Sequence, residues 1–161
     1  MVNIPDRLGD DERRFMDEFA ALLALRGMPL SSGRLYGYLL LQQTPVSLDQ
    51  IGADLELSKG GAWNAAKVLE RCGHVRRYGE PGSKRLLYAA TDNYAAPLLE
   101  QCGLLGQVGA LLQSSSGTLA KGQAATRLAE MSEFYFSIKQ TMEDAIRELD
   151  ALRARKRAGA A

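Results

Sequence analysis

Residues 57 to 77 read LSKGGAWNAAKVLERCGHVRR. The spacing predicts a helix from Ser58 to about Cys72. Ala62, Ala65, Ala66 and Leu69 share its buried face, while Trp63, Asn64 and Lys67 lie on another. Ser58 is placed to cap it and Gly73 to end it. Gly60 and Gly61 run against this reading, because an interior glycine costs a helix about 1 kcal/mol relative to alanine. A short helix that opens on two glycines and then presents a tryptophan and a lysine outward needs a reason.

The flanks supply the frame. Upstream, Ser47-Leu48-Asp49-Gln50 has capping-box spacing, and Leu48, Ile51 and Leu55 point a short helix inward until about Glu56. Two short helices joined by a tight turn are a helix-turn-helix pattern. Downstream, Val75 and Tyr78 lie in one extended run and Leu86, Leu87 and Tyr88 in another. Glu80-Pro81-Gly82-Ser83 turns between them, so residues 74–90 read as a hairpin.

Further out the pattern is helical. Residues 9–26 put Phe15, Phe19, Leu22, Leu23 and Arg26 on a helical spacing behind the acidic turn Asp10, Asp11, Glu12. Ser31 reads as the cap of a helix over about 32–43, with Leu35, Leu39 and Leu40 inward. From Thr91 to about Gln113 another helix follows, with Asp92 or Asn93 as cap. Its glycines at 103, 106 and 109 imply close helix packing, since no phosphate-loop pattern surrounds them. Ser114-Ser115-Ser116-Gly117 reads as a flexible break. Residues 122 to about 155 then form one long helix. Leu128, Met131, Tyr135, Ile138, Met142, Ala145, Leu149 and Leu152 make a heptad seam along it. Such a seam predicts a second helix as partner, in a dimer interface. A basic tail, Arg153 to Arg157, closes the pattern.

Composition bounds the function. At 161 residues, 46% apolar and 24% charged, the chain is one globular domain, with or without an oligomerisation element. No run approaches the roughly 18 apolar residues of a membrane span, and MVNIPDRLGDDERR lacks the core of a signal peptide. Cys72 and Cys102 read as buried free thiols in a reducing cytoplasm. His74 is the single histidine, and no nucleophile-elbow pattern occurs; no enzyme, metal or cofactor is expected. The net charge of +1 is unevenly spread. Between Ser58 and Tyr88, Lys59, Lys67, Arg71, Arg76, Arg77, Lys84 and Arg85 face only Glu70 and Glu80. A basic helix beside a basic hairpin is the footprint of a duplex DNA reader. Ser58, Gly60 and Gly61 would offer backbone N–H groups to a phosphate, Asn64 would bond a base edge, and Trp63 would pack on a sugar or a thymine methyl. Blander readings stand beside these: glycines that only allow close packing, a tryptophan folded onto the hairpin, lysines on a solvated face.

The order helix, helix, helix-turn-helix, basic hairpin, long C-terminal helices resembles MarR-type winged-helix transcriptional regulators. Leu57-Ser58-Lys59-Gly60-Gly61 and Arg71-Cys72-Gly73-His74-Val75-Arg76-Arg77 are most similar to the subgroup of the glycine betaine synthesis repressor GbsR. The resemblance spans about residues 10–110. It implies a mainly α fold with a small β-hairpin wing and an obligate homodimer. It implies a sequence-specific regulator of double-stranded DNA, acting as a repressor on an inverted-repeat operator. Residues 30–91 would be the DNA-binding domain, with 1–29 and 92–161 the helical dimerisation region. Trp63 stands where a small or polar residue is expected, which bears on the target sequence. Tyr36, Tyr38, Phe134, Tyr135 and Phe136 would either line an aromatic pocket for a small-molecule effector or serve as ordinary core aromatics. The rival function is a winged helix used for protein interaction without DNA binding.

Overall fold

The computed structural model describes residues 8–79, 81–119 and 121–159. Its elements are α1 (Asp10–Ala24), α2 (Leu30–Leu41), β1 (Val46–Ser47), α3 (Leu48–Asp54), α4 (Lys59–Arg71), β2 (Val75–Gly79), β3 (Leu86–Ala90), α5 (Ala95–Thr118) and α6 (Gln123–Gly159). The fold is mainly helical with one small antiparallel sheet, as the sequence implies. The chain divides between Asn93 and Tyr94 into two units.

The first unit is built around α2 and α4. Leu35, Tyr38 and Leu39 of α2 meet Ala62, Ala65, Ala66 and Leu69 of α4 in one core, completed by Met16, Val46, Ile51, Leu55, Val75 and Tyr88. The alanines let the two helices approach closely, so α4 is held by a face with almost no side-chain bulk. Helix α1 packs on α2 through small residues as well. A Cβ on Gly33 would stand 2.7 Å from the Cα of Ala20, and one on Gly37 would stand 3.2 Å from the Cα of Met16. The buried stripe of α1 is therefore Met16 and Ala20, one residue off the expected spacing, and Phe15 and Leu22 are exposed.

Local chemistry sets the boundaries. Ser31 does not cap α2. Pro29 does: its fixed φ suits a helix start, and its carbonyl accepts from the N–H of Gly33 at 3.0 Å. Leu40 is exposed, and Tyr38 takes the inward place. Ser47 caps α3 by accepting from the N–H of Gln50, but the reciprocal half of the capping box is missing. The Gln50 side chain donates instead to Oδ1 of Asp54 at 2.8 Å. Glu56 takes a left-handed φ of 55° in the turn before Ser58, and Gly73 one of 73° after α4. The hairpin is part of a three-stranded sheet of order β1-β3-β2, because the two residues of β1 pair with Tyr88 and Leu87.

The second unit is an antiparallel helical hairpin. The serine run is not a break. Ser114, Ser116 and Thr118 turn their hydroxyls back onto the carbonyls of Leu111, Gln113 and Ser114, and α5 continues to Thr118. Neither Asp92 nor Asn93 is the cap of α5; Tyr94 holds that position with no side-chain bond. Two of the three glycines face α6. A Cβ on Gly106 would meet Lys139 at 3.0 Å, and one on Gly109 would meet the ring of Phe136 at 3.1 Å; nothing lies within 4 Å at Gly103. Ser132 donates to the carbonyl of Gly109 at 2.8 Å, so a buried polar bond pins this crossing. Lys139 bonds Glu143 at 2.7 Å and holds its carboxyl below the ordinary range. At the far end, the Arg153 guanidinium stacks on Tyr94 at 3.8 Å. By length and composition α5 is long and apolar enough to cross a membrane, contrary to the expectation that no stretch is. Its glycines and serines lower its bulk without adding charge.

Candidate nucleic-acid interface

The outward face of α4 begins at its cap. The Ser58 hydroxyl accepts from the N–H of Gly61 at 3.1 Å. A Cβ on Gly61 would stand 3.2 Å from that same oxygen, so this glycine leaves room for the cap. Gly60 is different: nothing lies within 4 Å of where its Cβ would be. Packing against a neighbouring helix therefore does not account for Gly60. A helix leaves its first N–H groups without intrahelical partners and carries partial positive charge there. At Gly60 that end is open to an approaching group.

Trp63, Asn64, Lys67 and Arg71 follow on the exposed side. Trp63 is 43% exposed, and the Lys67 ammonium lies 4.4 Å from its ring centre. Lys59 and Arg77 are paired within the unit. Lys59 Nζ is 3.5 Å from Oδ1 of Asp49 on α3, and Arg77 Nε is 3.4 Å from Oε1 of Glu70 on α4. Both pairs are substantially exposed, and pairs of that kind contribute about 0–1 kcal/mol. Sequence reasoning missed the role of Asp49 because its partner lies ten residues away, across the turn between helices.

On the hairpin, Arg76 pairs with Ala89 and Arg77 with Tyr88. Neighbouring residues of a strand point to opposite faces, so these two arginines do not act as one patch. Tyr88 is buried, which raises its hydroxyl pKa against the opposing pull of Arg77. Lys84 and Arg85 are exposed, and Ser83 braces the turn by accepting from the N–H of Arg85 at 3.0 Å. Glu80, which the sequence reading placed first in this turn, lies outside the described residues.

Arg85 also borders a groove of about 930 Å³ with Glu12, Tyr38, Gln50 and Asp54. The polar groups at its floor satisfy one another. Tyr38 donates to Oδ2 of Asp54 at 2.6 Å while Gln50 holds the other oxygen. Of the five aromatics considered for an effector pocket, Tyr38 is thus committed to the core of its unit and Phe136 to the face of α6 against Gly109. Cys102 is buried and Cys72 half-buried, and neither is in a disulfide. Among the described residues, no three histidine, cysteine, aspartate or glutamate side chains gather as metal ligands.

The heptad seam lies beside the face that α6 turns to α5. Ser132, Phe136 and Lys139 make the hairpin contacts. Met131, Ile138, Met142, Leu149 and Leu152 remain exposed in the single chain, with Leu149 at 63%; Ala145 is exposed too, and Leu128 and Tyr135 are partly covered.

No protein-family profile matches the chain, and no curated protein does. Among solved structures it is similar to one described as a transcriptional regulator, at 23% identity and a TM-score of 0.75, over 88% of this chain and 99% of that one. Weaker likenesses reach wild-type MarR of E. coli in its apo form and a mutant of MepR from a multidrug-resistant S. aureus clinical isolate. MarR has 18% identity and a TM-score of 0.41, covering 77% of this chain and 88% of its own. MepR has 15% identity and a TM-score of 0.40, covering 93% and 89%. The chain therefore shares a fold, a winged helix-turn-helix followed by a long helical hairpin, with a known transcriptional regulator.

Proposed function

We propose that this protein is a cytoplasmic, sequence-specific regulator of double-stranded DNA that acts as a homodimer. Helix α4 is the reading helix and the β2–β3 hairpin is the wing. The observation that carries this is the amino-terminal end of α4. Gly60 opens onto free space there, and Lys59, Asn64 and Lys67 stand exposed around it. An open, positively polarised helix end among lysines suits phosphate approach, and the second helix of such a motif enters the major groove amino-terminus first. Asn64 is the side chain suited to read a base edge. Arg71, Arg76, Lys84 and Arg85 supply further positive charge, and phosphate contacts of that kind position rather than specify.

The exposed seam of α6 is the dimer surface in this reading. A two-fold pair would set its reading helices about 34–36 Å apart, so the operator is an inverted repeat. A repressor of the glycine betaine synthesis type is the finer form of the proposal; it rests on the motifs around residues 57–61 and 71–77. The test is a gel-shift titration on the DNA upstream of the protein's own gene, with unrelated duplex as competitor. Selective retardation at protein concentrations below micromolar is the expected result. Equal, weak retardation of all duplexes at physiological salt would leave the protein-interaction reading in its place.

A further inference from the structure

Three cations of the helix-turn-helix and its hairpin have partners in the free protein, and the partners are of two kinds. Lys59 and Arg77 lie against carboxylates. A phosphate that takes either must displace an anion first. Lys67 lies against a ring, with its ammonium 4.4 Å from the centre of Trp63. A ring face attracts a cation without neutralising it, and the N–H groups turned away from the ring stay free to donate.

From this we infer that Trp63 is a positioning residue for Lys67: it holds the ammonium ready for a DNA phosphate and does not itself read the DNA. The inference rests on the proposed function and deepens it. Trp63 and Lys67 are four residues apart, hence neighbours on one helix face. Long helical side chains lean toward the amino-terminus. Held over Trp63, the charge of Lys67 is carried about one turn toward Gly60 and the open helix end. Lysine has many rotamers, and fixing them on binding costs free energy. A lysine already held meets less of that cost. This also gives the tryptophan a place at a position where a small or polar residue was expected. A ring 43% exposed is otherwise an odd occupant of a polar face.

The experiment is a double-mutant cycle on operator affinity, using Trp63→Leu, Trp63→Phe and Lys67→Met in the full-length protein. Preorganisation cannot add more to affinity than the contact that does the holding, about 0.5–1 kcal/mol for a cation–π pair at an exposed site, so the gain is at most roughly two- to fivefold. Trp63→Leu should lose that factor when Lys67 is present and lose nothing in the Lys67→Met background. Trp63→Phe should recover most of the loss, because the ring returns without the indole. A structural role would not follow that order, and the melting points of the variants should differ by no more than a few degrees, the shift expected from losing one weak surface contact. In the free protein, the ε-methylene protons of Lys67 should show an upfield ring-current shift that disappears in Trp63→Leu. Equal losses from Trp63→Leu in both backgrounds would mean that the ring contacts DNA itself and overturn the inference. Wild-type affinity in Trp63→Leu would overturn it as well. Lys67→Met and Asn64→Ala variants that both bind the operator like wild type, beside an intact ring-current shift in the wild-type protein, would instead sink α4 as the reading helix.

Discussion

Tyr38 of α2 and Asp54 of α3 are joined by a 2.6 Å hydrogen bond that ties the helix-turn-helix to its supporting helix. Burial, and then the bond to Asp54, push the Tyr38 hydroxyl well above its ordinary pKa. Tyr38→Phe should cost about 1.5–3 kcal/mol, the range for a bond to a charged group, read by urea denaturation. The sign of the pH dependence follows from the raised value. The unfolded chain loses the proton first, so this contribution is complete below about pH 10 and shrinks as pH climbs further. The phenylalanine variant should lack that alkaline decline, apart from the share due to Tyr88, whose pKa is also raised.

Two glycines make opposite demands. Gly33→Ala sets a methyl 2.7 Å from the Cα of Ala20 and should destabilise the α1–α2 contact by about 1–3 kcal/mol. Gly60→Ala meets nothing and should stabilise the fold by up to about 1 kcal/mol. On DNA the same change should weaken binding, because its methyl stands where a phosphate would approach. Thermal melting and operator titration on the same samples give the two signs; a Gly60→Ala variant that is both more stable and tighter-binding contradicts the open-end reading.

Side chains on the face should separate by chemistry. Asn64→Ala should cost about 1–3 kcal/mol and relax preference at one base position. Lys67→Ala should weaken binding to all sequences and lower the salt slope by roughly one unit. Asp49→Asn frees Lys59 from its counterion and should tighten binding modestly. Its effect should vanish when Lys59 is alanine. A selection of binding sites from random duplexes, run at two salt concentrations, measures all three.

The apolar seam carries the proposed assembly. Met142→Glu or Leu149→Glu puts a charge on a side chain already exposed in the single chain, so the fold should persist. Light scattering at micromolar concentration should find a dimer for the wild type and monomers for either variant, with operator binding lost. A wild-type monomer, or a variant that stays dimeric, contradicts the interface.

Much of this was legible before any coordinates. The alanines at 62, 65 and 66 carry a period no strand could use, and the Ser58 cap and Gly73 stop bracket it. Strand β1 was missed because two residues have no period to recognise. The serine run of α5 misled for a chemical reason. Serine marks loops because its hydroxyl competes for backbone groups, yet here the hydroxyls of Ser114 and Ser116 bond carbonyls within their own helix. The candidate site was legible as a set of cations but not as a set of pairs. Spacing shows that Trp63 and Lys67 share a face, whereas nothing in the order of residues says that Lys59 reaches Asp49.

In the proposed dimer, helix α6 does two jobs on adjoining strips of one cylinder. Met131 and Ile138 lie one position from Ser132 and Lys139, which meet α5. One residue turns an α-helix by about 100°. A single amino acid inserted between Phe136 and Lys139 would leave the upper half in register with α5 and swing the lower half away. The lost partner and the exposed seam would then trade places. Seven added residues nearly restore the original direction, within about 20°. The length of this helix is thus constrained in steps, and natural variation in it should come in whole heptads, whatever happens to the residues that fill them.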